Sequence, residues 1–140
     1  MATFRHYTSI QIRFKDIDAL GHVNNANHLT YFELARIRYF NEAVGENINW
    51  SKKGIILASA ALSYHSPVQL SDDVVVGTRC SKLGDKSFVL EYEMTSKTAG
   101  QERLLAAGST VMVCYDYEKA KSIAMPEEWR AKLKDYDKLP

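Results

Sequence analysis

Hydrophobic and polar residues alternate along much of this chain, and one long stretch between the alternating runs has a helical period instead. Residues 7–14 alternate, with Ile10 and Phe14 on the apolar side, which predicts a half-buried strand. Residues 27–44 contain no Gly or Pro and repeat apolar positions every three or four residues, which predicts a helix that Gly45 ends. Apolar residues also occupy its other sides, and such a helix is usually surrounded by protein.

The second half of the chain is almost wholly strand-like. Turn residues at 83–86 and 98–101 separate consecutive runs, so an antiparallel meander is the simplest topology. Pro126, followed by two glutamates, predicts a short C-terminal helix. The predicted strands cover residues 55–65, 74–82, 87–97 and 104–115.

One long helix and about five antiparallel strands predict an α+β fold in which a curved sheet wraps around the helix. A length of 140 residues suits one domain, so we expect a single domain over residues 1–140. A single-layer sheet has a free edge and an uncovered face, which a second copy of the chain would cover. We therefore expect a homodimer or a homotetramer.

The composition argues against several classes of protein. Lys and Arg total 18 against 17 for Asp and Glu, so the formal net charge of +1 predicts neither nucleic-acid binding nor membrane insertion. Cys80 and Cys114 lie in apolar runs without metal-ligand spacing, and we expect buried free thiols, no metal and no cofactor. The N-terminus lacks an apolar core of signal-peptide length, which predicts a cytoplasmic protein.

Candidate chemistry centres on Asp18, which lies in a polar loop between the first strand and the long helix. Hydrolysis of an activated acyl group needs a nucleophile or an activated water, together with hydrogen-bond donors where negative charge develops on oxygen. The first amides of a helix lack intrahelical acceptors, and residues 24–27 place such amides about one loop from Asp18. Asp18 could attack a thioester directly, could act as general base for water, or could simply be a turn carboxylate.

The sequence RFKDIDALGHVNN at residues 13–25, followed by YFELAR at 31–36, resembles the signature of the 4-hydroxybenzoyl-CoA thioesterase-like family of hotdog-fold acyl-CoA thioesterases. The resemblance implies a hotdog fold and hydrolysis of an acyl-CoA to the free acid and CoA. It also implies that Asp18 is the catalytic carboxylate and that the backbone amide of Asn25 is the oxyanion donor. One position departs from the pattern, because His28 stands where many relatives carry an aromatic residue.

Three other residues of the loop are candidates for substrate binding. Gly21 would let the loop turn tightly against the substrate. His22 would hydrogen-bond Asp18 or the substrate, or would be an ordinary solvated side chain. Asn24 would position a water molecule or cap the helix. Asp16 is interpreted differently, as a structural partner of Arg13 or Arg36.

The end of the second predicted strand supplies two further candidates. The resemblance implies that the region around Ser63 and His65 lines the substrate cleft of the neighbouring subunit. A serine and a histidine on alternate positions of one strand share a face, yet no third group is present to orient the histidine, so a Ser-His triad is not expected.

Three alternatives to acyl-CoA hydrolysis stay open at this point. They are a thioesterase for acyl groups on acyl carrier protein, a non-catalytic acyl-binding module, and a hotdog dehydratase that would use Glu33. The sequence does not select among the cations that could bind CoA phosphates, which are Lys53, Arg79, Lys82, Lys86 and Lys97.

Overall fold

The computed structural model describes residues 3–140, so the first two residues of the expected 1–140 domain lie outside it. Single-turn 3₁₀ segments occur at Phe14–Asp16 and Thr98–Gly100. The helices and strands follow the chain order β1 (His6–Ile10), α1 (Asn27–Ala43), β2 (Lys53–Tyr64), β3 (Val74–Leu83), β4 (Ser87–Ser96), β5 (Arg103–Asp116), β6 (Lys121–Ser122) and α2 (Glu127–Tyr136).

The strands form one antiparallel sheet in the order β1-β3-β4-β5-β2, and the two-residue β6 adds to β5. The predicted meander is confirmed for β3, β4 and β5. The two outer strands come from the N-terminal half of the chain, where β1 pairs with β3 through His6 and Thr78, and β2 pairs with β5 through Lys53 and Asp116. The predicted α+β architecture, a curled sheet around one main helix, is therefore confirmed.

The core lies between α1 and the concave face of the sheet. The rings of Phe32 in α1 and Tyr92 in β4 stack with centroids 4.6 Å apart. The predicted alternation of β4 is confirmed, because its core-facing residues Phe88, Leu90, Tyr92 and Met94 are at most 1% exposed. Tyr39 and Phe40 of α1 are fully buried, and Phe40 also packs against Trp129 of α2.

The expectation that protein surrounds α1 is met on one side only. Leu34 and Ile37 of the helix remain 38% and 49% exposed in the single chain. On the neighbouring strand β2, Ile56 and Leu57 are similarly exposed, and no strand within residues 3–140 pairs with the outer edge of β2.

The first predicted strand, residues 7–14, is too long and is corrected. β1 ends at Ile10, and Phe14 begins a 3₁₀ turn in which its side chain is 83% exposed. The carboxylate of Asp16 accepts a hydrogen bond from the Arg13 amide at 3.1 Å, which closes this turn. Local hydrogen bonding by Asp16 therefore overrides the alternating pattern.

Both cysteines are buried free thiols, as predicted. Burial raises the pKa of Cys80 to about 12 and that of Cys114 to about 11, so neither forms a thiolate readily. None of the helices in residues 3–140 combines the length and the apolar character needed to cross a membrane.

Candidate active site

A cavity of about 440 Å³ opens where three segments meet: the loop after the 3₁₀ turn, the start of α1 and the end of β2. Asp18, which the sequence singled out, lies in its wall. The lining residues are Asp18, Leu20, His22, Val23, Asn24, Asn25, His28, Tyr64, His65, Ser66 and Pro67.

The loop that carries Asp18 is closed by its own backbone. The Asp18 amide donates to the His22 carbonyl at 2.9 Å, and the Gly21 amide donates to the Asp18 carbonyl at 3.0 Å. Gly21 has a φ of +84°, a conformation that glycine adopts without strain. The Asp18 carboxylate accepts one hydrogen bond, from the Leu20 amide to Oδ1 at 2.9 Å, and Oδ2 has no partner within residues 3–140. One oxygen is thus fixed while the other is free to react.

The turn that leads into α1 leaves one backbone amide unpaired. Within the described chain, every amide from Val23 to His28 donates a hydrogen bond except that of Asn25. Asn25 also lines the cavity, and the positive end of the α1 dipole lies at the same place. The acceptors of the other amides are Val68 O for Val23, Asp16 O for Asn24, Asn24 Oδ1 for Ala26, Asn24 O for Asn27 and Asn25 O for His28.

Asn24 holds this turn through two of its oxygens. Its side-chain Oδ1 accepts the Ala26 amide at 2.9 Å, and its carbonyl accepts the Asn27 amide at the same distance. This is a turn before the helix, since the N-cap position of α1 is Ala26 and carries no side-chain cap, and Asn24 lines the cavity as well.

Asp16, two residues before Asp18, has a different environment. It is 8% exposed, and its Oδ2 accepts the Tyr31 hydroxyl at 2.6 Å as well as the Arg13 amide. Burial alone would raise the pKa of Asp16, but the Tyr31 hydroxyl and the Arg13 amide outweigh burial and hold that pKa below its ordinary value. Of the two predicted partners of Asp16, Arg13 contacts it through its backbone amide rather than its guanidinium. The other, Arg36, donates a hydrogen bond to the Tyr92 hydroxyl instead.

The remaining candidates divide between the cavity and its surroundings. His22 and His65 line the cavity, and Gly21 forms the turn between Leu20 and His22. Ser63 does not line it; the lining residues of this segment begin at Tyr64, the last residue of β2, and continue through Pro67.

Several residues that were not named as candidates also line the cavity, among them His28 and Tyr64. His28 is 2% exposed, and its ring packs edge-on against Tyr64 with centroids 4.9 Å apart. The Tyr64 hydroxyl donates to the Asn25 carbonyl at 3.2 Å. The departure from the family pattern at His28 was the signal in the sequence that could have identified it.

Several other charged groups lie away from this cavity. Within residues 3–140, none of the five candidate cations for CoA phosphates lines it, and Arg79 pairs with Glu91 while Lys97 pairs with Glu102. Glu33 belongs to a separate apolar cavity between α1 and β2, where its side chain is 64% exposed. No cluster of His, Cys, Asp and Glu suited to a metal ion occurs in the part of the chain that the structure describes.

Comparison with known proteins gives consistent matches along the chain. The model of the thioesterase-like superfamily matches residues 12–133. Long-chain acyl-CoA thioesterase FadM of Escherichia coli strain K12 is 28% identical over 129 residues, which cover 90% of this chain and 95% of FadM. A crystal structure of a thioesterase from Thermus thermophilus, complexed with coenzyme A and Zn, is 33% identical, with a TM-score of 0.83 and coverage of 100% and 99%. The fold is also similar to that of a 4-hydroxybenzoyl-CoA thioesterase mutant complexed with 4-hydroxybenzoyl-CoA, with a TM-score of 0.84, 19% identity and coverage of 91% and 97%.

Proposed function

The chain belongs to the thioesterase-like superfamily, and from this premise we propose that it hydrolyses acyl-CoA thioesters to the free acid and CoA. It is a thioester hydrolase, and its curled sheet around α1 is the hotdog fold. One observation carries the proposed mechanism: Asn25, whose amide has no acceptor within the described residues, lines the same cavity as Asp18.

The Asn25 amide is the proposed oxyanion donor. As the thioester carbonyl is attacked, negative charge develops on its oxygen, and a preorganised donor stabilises that charge. A donor that already had an acceptor would have to break a hydrogen bond first, whereas the Asn25 amide has none within the described residues. The α1 dipole adds to the stabilisation, because its positive end lies at the same turn.

Asp18 is the proposed catalytic carboxylate, and two routes are consistent with its geometry. In the first, the free Oδ2 attacks the thioester carbon, CoA leaves as the thiolate, and water then hydrolyses the mixed anhydride. In the second, Oδ2 takes a proton from a water molecule that attacks the same carbon. The hydrogen bond from Leu20 to Oδ1 holds the carboxylate in place in both routes.

The comparisons support an acyl-CoA as the substrate. FadM is named a long-chain acyl-CoA thioesterase, and the thioesterase from Thermus thermophilus is complexed with coenzyme A. Both matches extend over nearly the full length of this chain, so they include the loop of Asp18 and the start of α1.

Release of free thiol from short, medium, long and aromatic acyl-CoAs tests the substrate, with an acyl-carrier-protein thioester measured in parallel. Hydrolysis of at least one acyl-CoA is expected. If only the carrier-protein thioester were cleaved, the CoA proposal would be wrong. After turnover in H₂¹⁸O, ¹⁸O in the Asp18 carboxylate would identify the anhydride route with water attacking the Asp18 carbonyl carbon, because general-base catalysis places ¹⁸O only in the product acid.

The functional unit is proposed to be a homodimer, either alone or within a homotetramer, in which two copies pair along β2. The outer edge of this 12-residue strand has no partner in the described chain, and Ile56 and Leu57 on it are exposed. Unpaired strand edges of this length are usually covered in native proteins. A second copy would also cover the exposed apolar residues Leu34 and Ile37 of α1.

A further inference from the structure

Two side chains of α1, Asn27 and Tyr31, bind the same residue of the loop before the helix, Asp16. The Tyr31 hydroxyl donates to Oδ2 of Asp16 at 2.6 Å, and Nδ2 of Asn27 donates to the Asp16 carbonyl at 3.2 Å. Side chains one turn apart lie on the same face of a helix, so α1 holds Asp16 at two points. We call these three residues, Asp16, Asn27 and Tyr31, the Asp16 clamp.

The bond between Tyr31 and Asp16 is one between a hydroxyl and a charged carboxylate. Burial and the hydrogen bond to Asp16 raise the pKa of Tyr31 well above its ordinary value, so the hydroxyl keeps the proton that it donates. Burial works against the charge of Asp16, but the hydrogen bonds from Tyr31 and Arg13 outweigh it and keep the pKa of Asp16 below its ordinary value. Hydrogen bonds to an ionised group are stronger than those between neutral groups, so this bond is a firm attachment.

Asp16 also connects the two segments that carry the proposed catalytic groups. It lies two residues before Asp18, and its carbonyl accepts the amide of Asn24, the residue before Asn25, at 2.9 Å. The loop between Asp18 and Asn25 is closed on itself by the hydrogen bond from the Asp18 amide to the His22 carbonyl. The Asp16 clamp attaches this closed loop to α1.

The clamp residues are not among those that line the cavity, so they act on a bound substrate through the groups that they hold. A displacement of about 1 Å in a reacting group can lower the rate by about a hundredfold, because attack needs a narrow range of distances and angles. We propose that Tyr31 and Asn27 are positioning residues for hydrolysis: by holding Asp16, they fix the proposed carboxylate and the proposed oxyanion donor at the separation that the reaction needs. This inference rests on the proposed acyl-CoA hydrolysis.

Tyr31→Phe tests the inference, because it removes the hydroxyl and keeps the buried ring. In thiol release from the best acyl-CoA of the panel, kcat should fall by about tenfold. KM should stay within about twofold of the wild-type value, since loss of positioning affects the transition state rather than the binding of the substrate. Asn27→Ala should lower kcat in the same way, and the higher helix propensity of alanine offsets part of the stability that the lost hydrogen bond gave.

Tyr39 provides a matched control about two turns further along α1. It is also buried, and its hydroxyl also donates to Oδ2 of an aspartate, Asp137, which accepts the backbone amide of Cys80 as well. Tyr39 does not line the cavity. Tyr39→Phe should therefore lower the urea midpoint of unfolding about as much as Tyr31→Phe does, while kcat stays at the wild-type value.

A double variant separates positioning from a general loss of stability. If the Tyr31 hydroxyl acts through Asp18, its removal in an Asp18→Asn background should lower the residual kcat by less than about threefold, because the effects of groups that act as one unit are not additive. A merely structural role would give the same fractional loss in both backgrounds.

Each outcome decides the inference. A wild-type kcat in Tyr31→Phe, an equal loss of kcat in Tyr39→Phe, or the same fractional loss in both backgrounds overturns it and leaves acyl-CoA hydrolysis intact. Absence of thiol release by the wild type from every acyl-CoA of the panel overturns the proposed function, and this inference with it. If Tyr31→Phe does not give a wild-type circular dichroism spectrum, Asn27→Ala, alone and combined with Asp18→Asn, provides the same test.

Discussion

Two aspartates in one short motif have different surroundings, and the different roles proposed for them rest on this. Asp16 is buried, and its Oδ2 accepts hydrogen bonds from the Tyr31 hydroxyl and the Arg13 amide. Asp18 lies at the cavity with one oxygen held by Leu20 and the other free. A carboxylate that is fully committed to hydrogen bonds is a structural element, whereas one with a free oxygen can act on a substrate.

Replacement of Asp18 tests the catalytic half of this contrast. Asp18→Asn keeps the size of the side chain and an oxygen for the Leu20 amide, but it removes the charge that attack or proton abstraction needs. We expect kcat to fall by about a hundredfold or more in a thiol-release assay. Asp135→Asn, which removes an exposed carboxylate on α2, should leave the rate unchanged. Full activity in Asp18→Asn would show that Asp18 is structural.

Replacement of Asp16 tests the structural half. Because the pKa of Asp16 is lower in the folded chain than in the unfolded one, the unfolded chain binds the proton first as the pH falls. Asp16 therefore stabilises the fold fully above about pH 5, and this stabilisation is lost as the pH falls through about 4 and below. We expect Asp16→Asn to lower the free energy of unfolding by about 1 kcal/mol at pH 7 and to make it less dependent on pH in urea titrations between pH 3 and 7. A pH dependence identical to that of the wild type would contradict this assignment.

Among single residues, the sequence could identify candidates that lie close together along the chain. Asp18, Asn24 and Asn25 fall within one loop, and the structure brings them to one cavity. His28 and Tyr64 are 36 positions apart, so no local pattern could show that their rings meet at 4.9 Å. Contacts of this kind depend on how β2 is placed beside α1, which is a property of the whole sheet.

Among the elements, the turn before α1 does most to shape the site. The helix begins at Asn27 without a side-chain cap on Ala26, the residue before it. Asn24 closes the turn before the helix by accepting the Ala26 and Asn27 amides, and the Asn25 amide has no acceptor within the described residues. The helix start is thus built so that one donor stays available at its positive end.

Asn24→Ala tests this link between the turn and the site. Loss of the acceptor for the Ala26 amide should lower the free energy of unfolding by about 1 kcal/mol, as for other helix-start residues of this kind. It should also lower kcat by about tenfold, because the neighbouring Asn25 amide would lose its fixed orientation. Asn24→Asp keeps an oxygen at the same place, so it should retain most of the free energy of unfolding and most of kcat. If kcat in Asn24→Ala were unchanged despite the loss of stability, the turn would not orient the donor.

The elements themselves were predicted best where local chemistry determines them. The turns at 83–86 and 98–101 lie between the observed strands β3, β4 and β5, and Gly45 follows the end of α1 with a φ of +137°. The pairing of β1 with β3 and of β2 with β5 joins segments far apart in the chain, and alternation along a single strand carries no information about its partner. The same limit explains why residues 11–14 were predicted to extend β1.

For the whole molecule, one exposed apolar surface is formed by β2 and α1 together. The free edge of β2 runs beside the exposed apolar residues of α1, and the cavity opens at the Tyr64 end of that strand. A second copy bound along β2 would therefore cover an apolar surface and would also lie next to the cavity that Asp18 lines.

The mass in solution tests this pairing. Light scattering coupled to gel filtration should give the wild type at least twice the 15.9 kDa of one chain. Leu57→Glu places a charge on the exposed part of β2, and burying that charge against a second copy would cost more than the pairing gains, so the variant should elute as a monomer. Leu70→Glu removes a similarly exposed leucine outside α1 and β2, and it should keep the wild-type mass. A wild-type chain with a mass of 15.9 kDa at every concentration would show that the copies do not associate. An unchanged mass in Leu57→Glu would show that they associate through another surface.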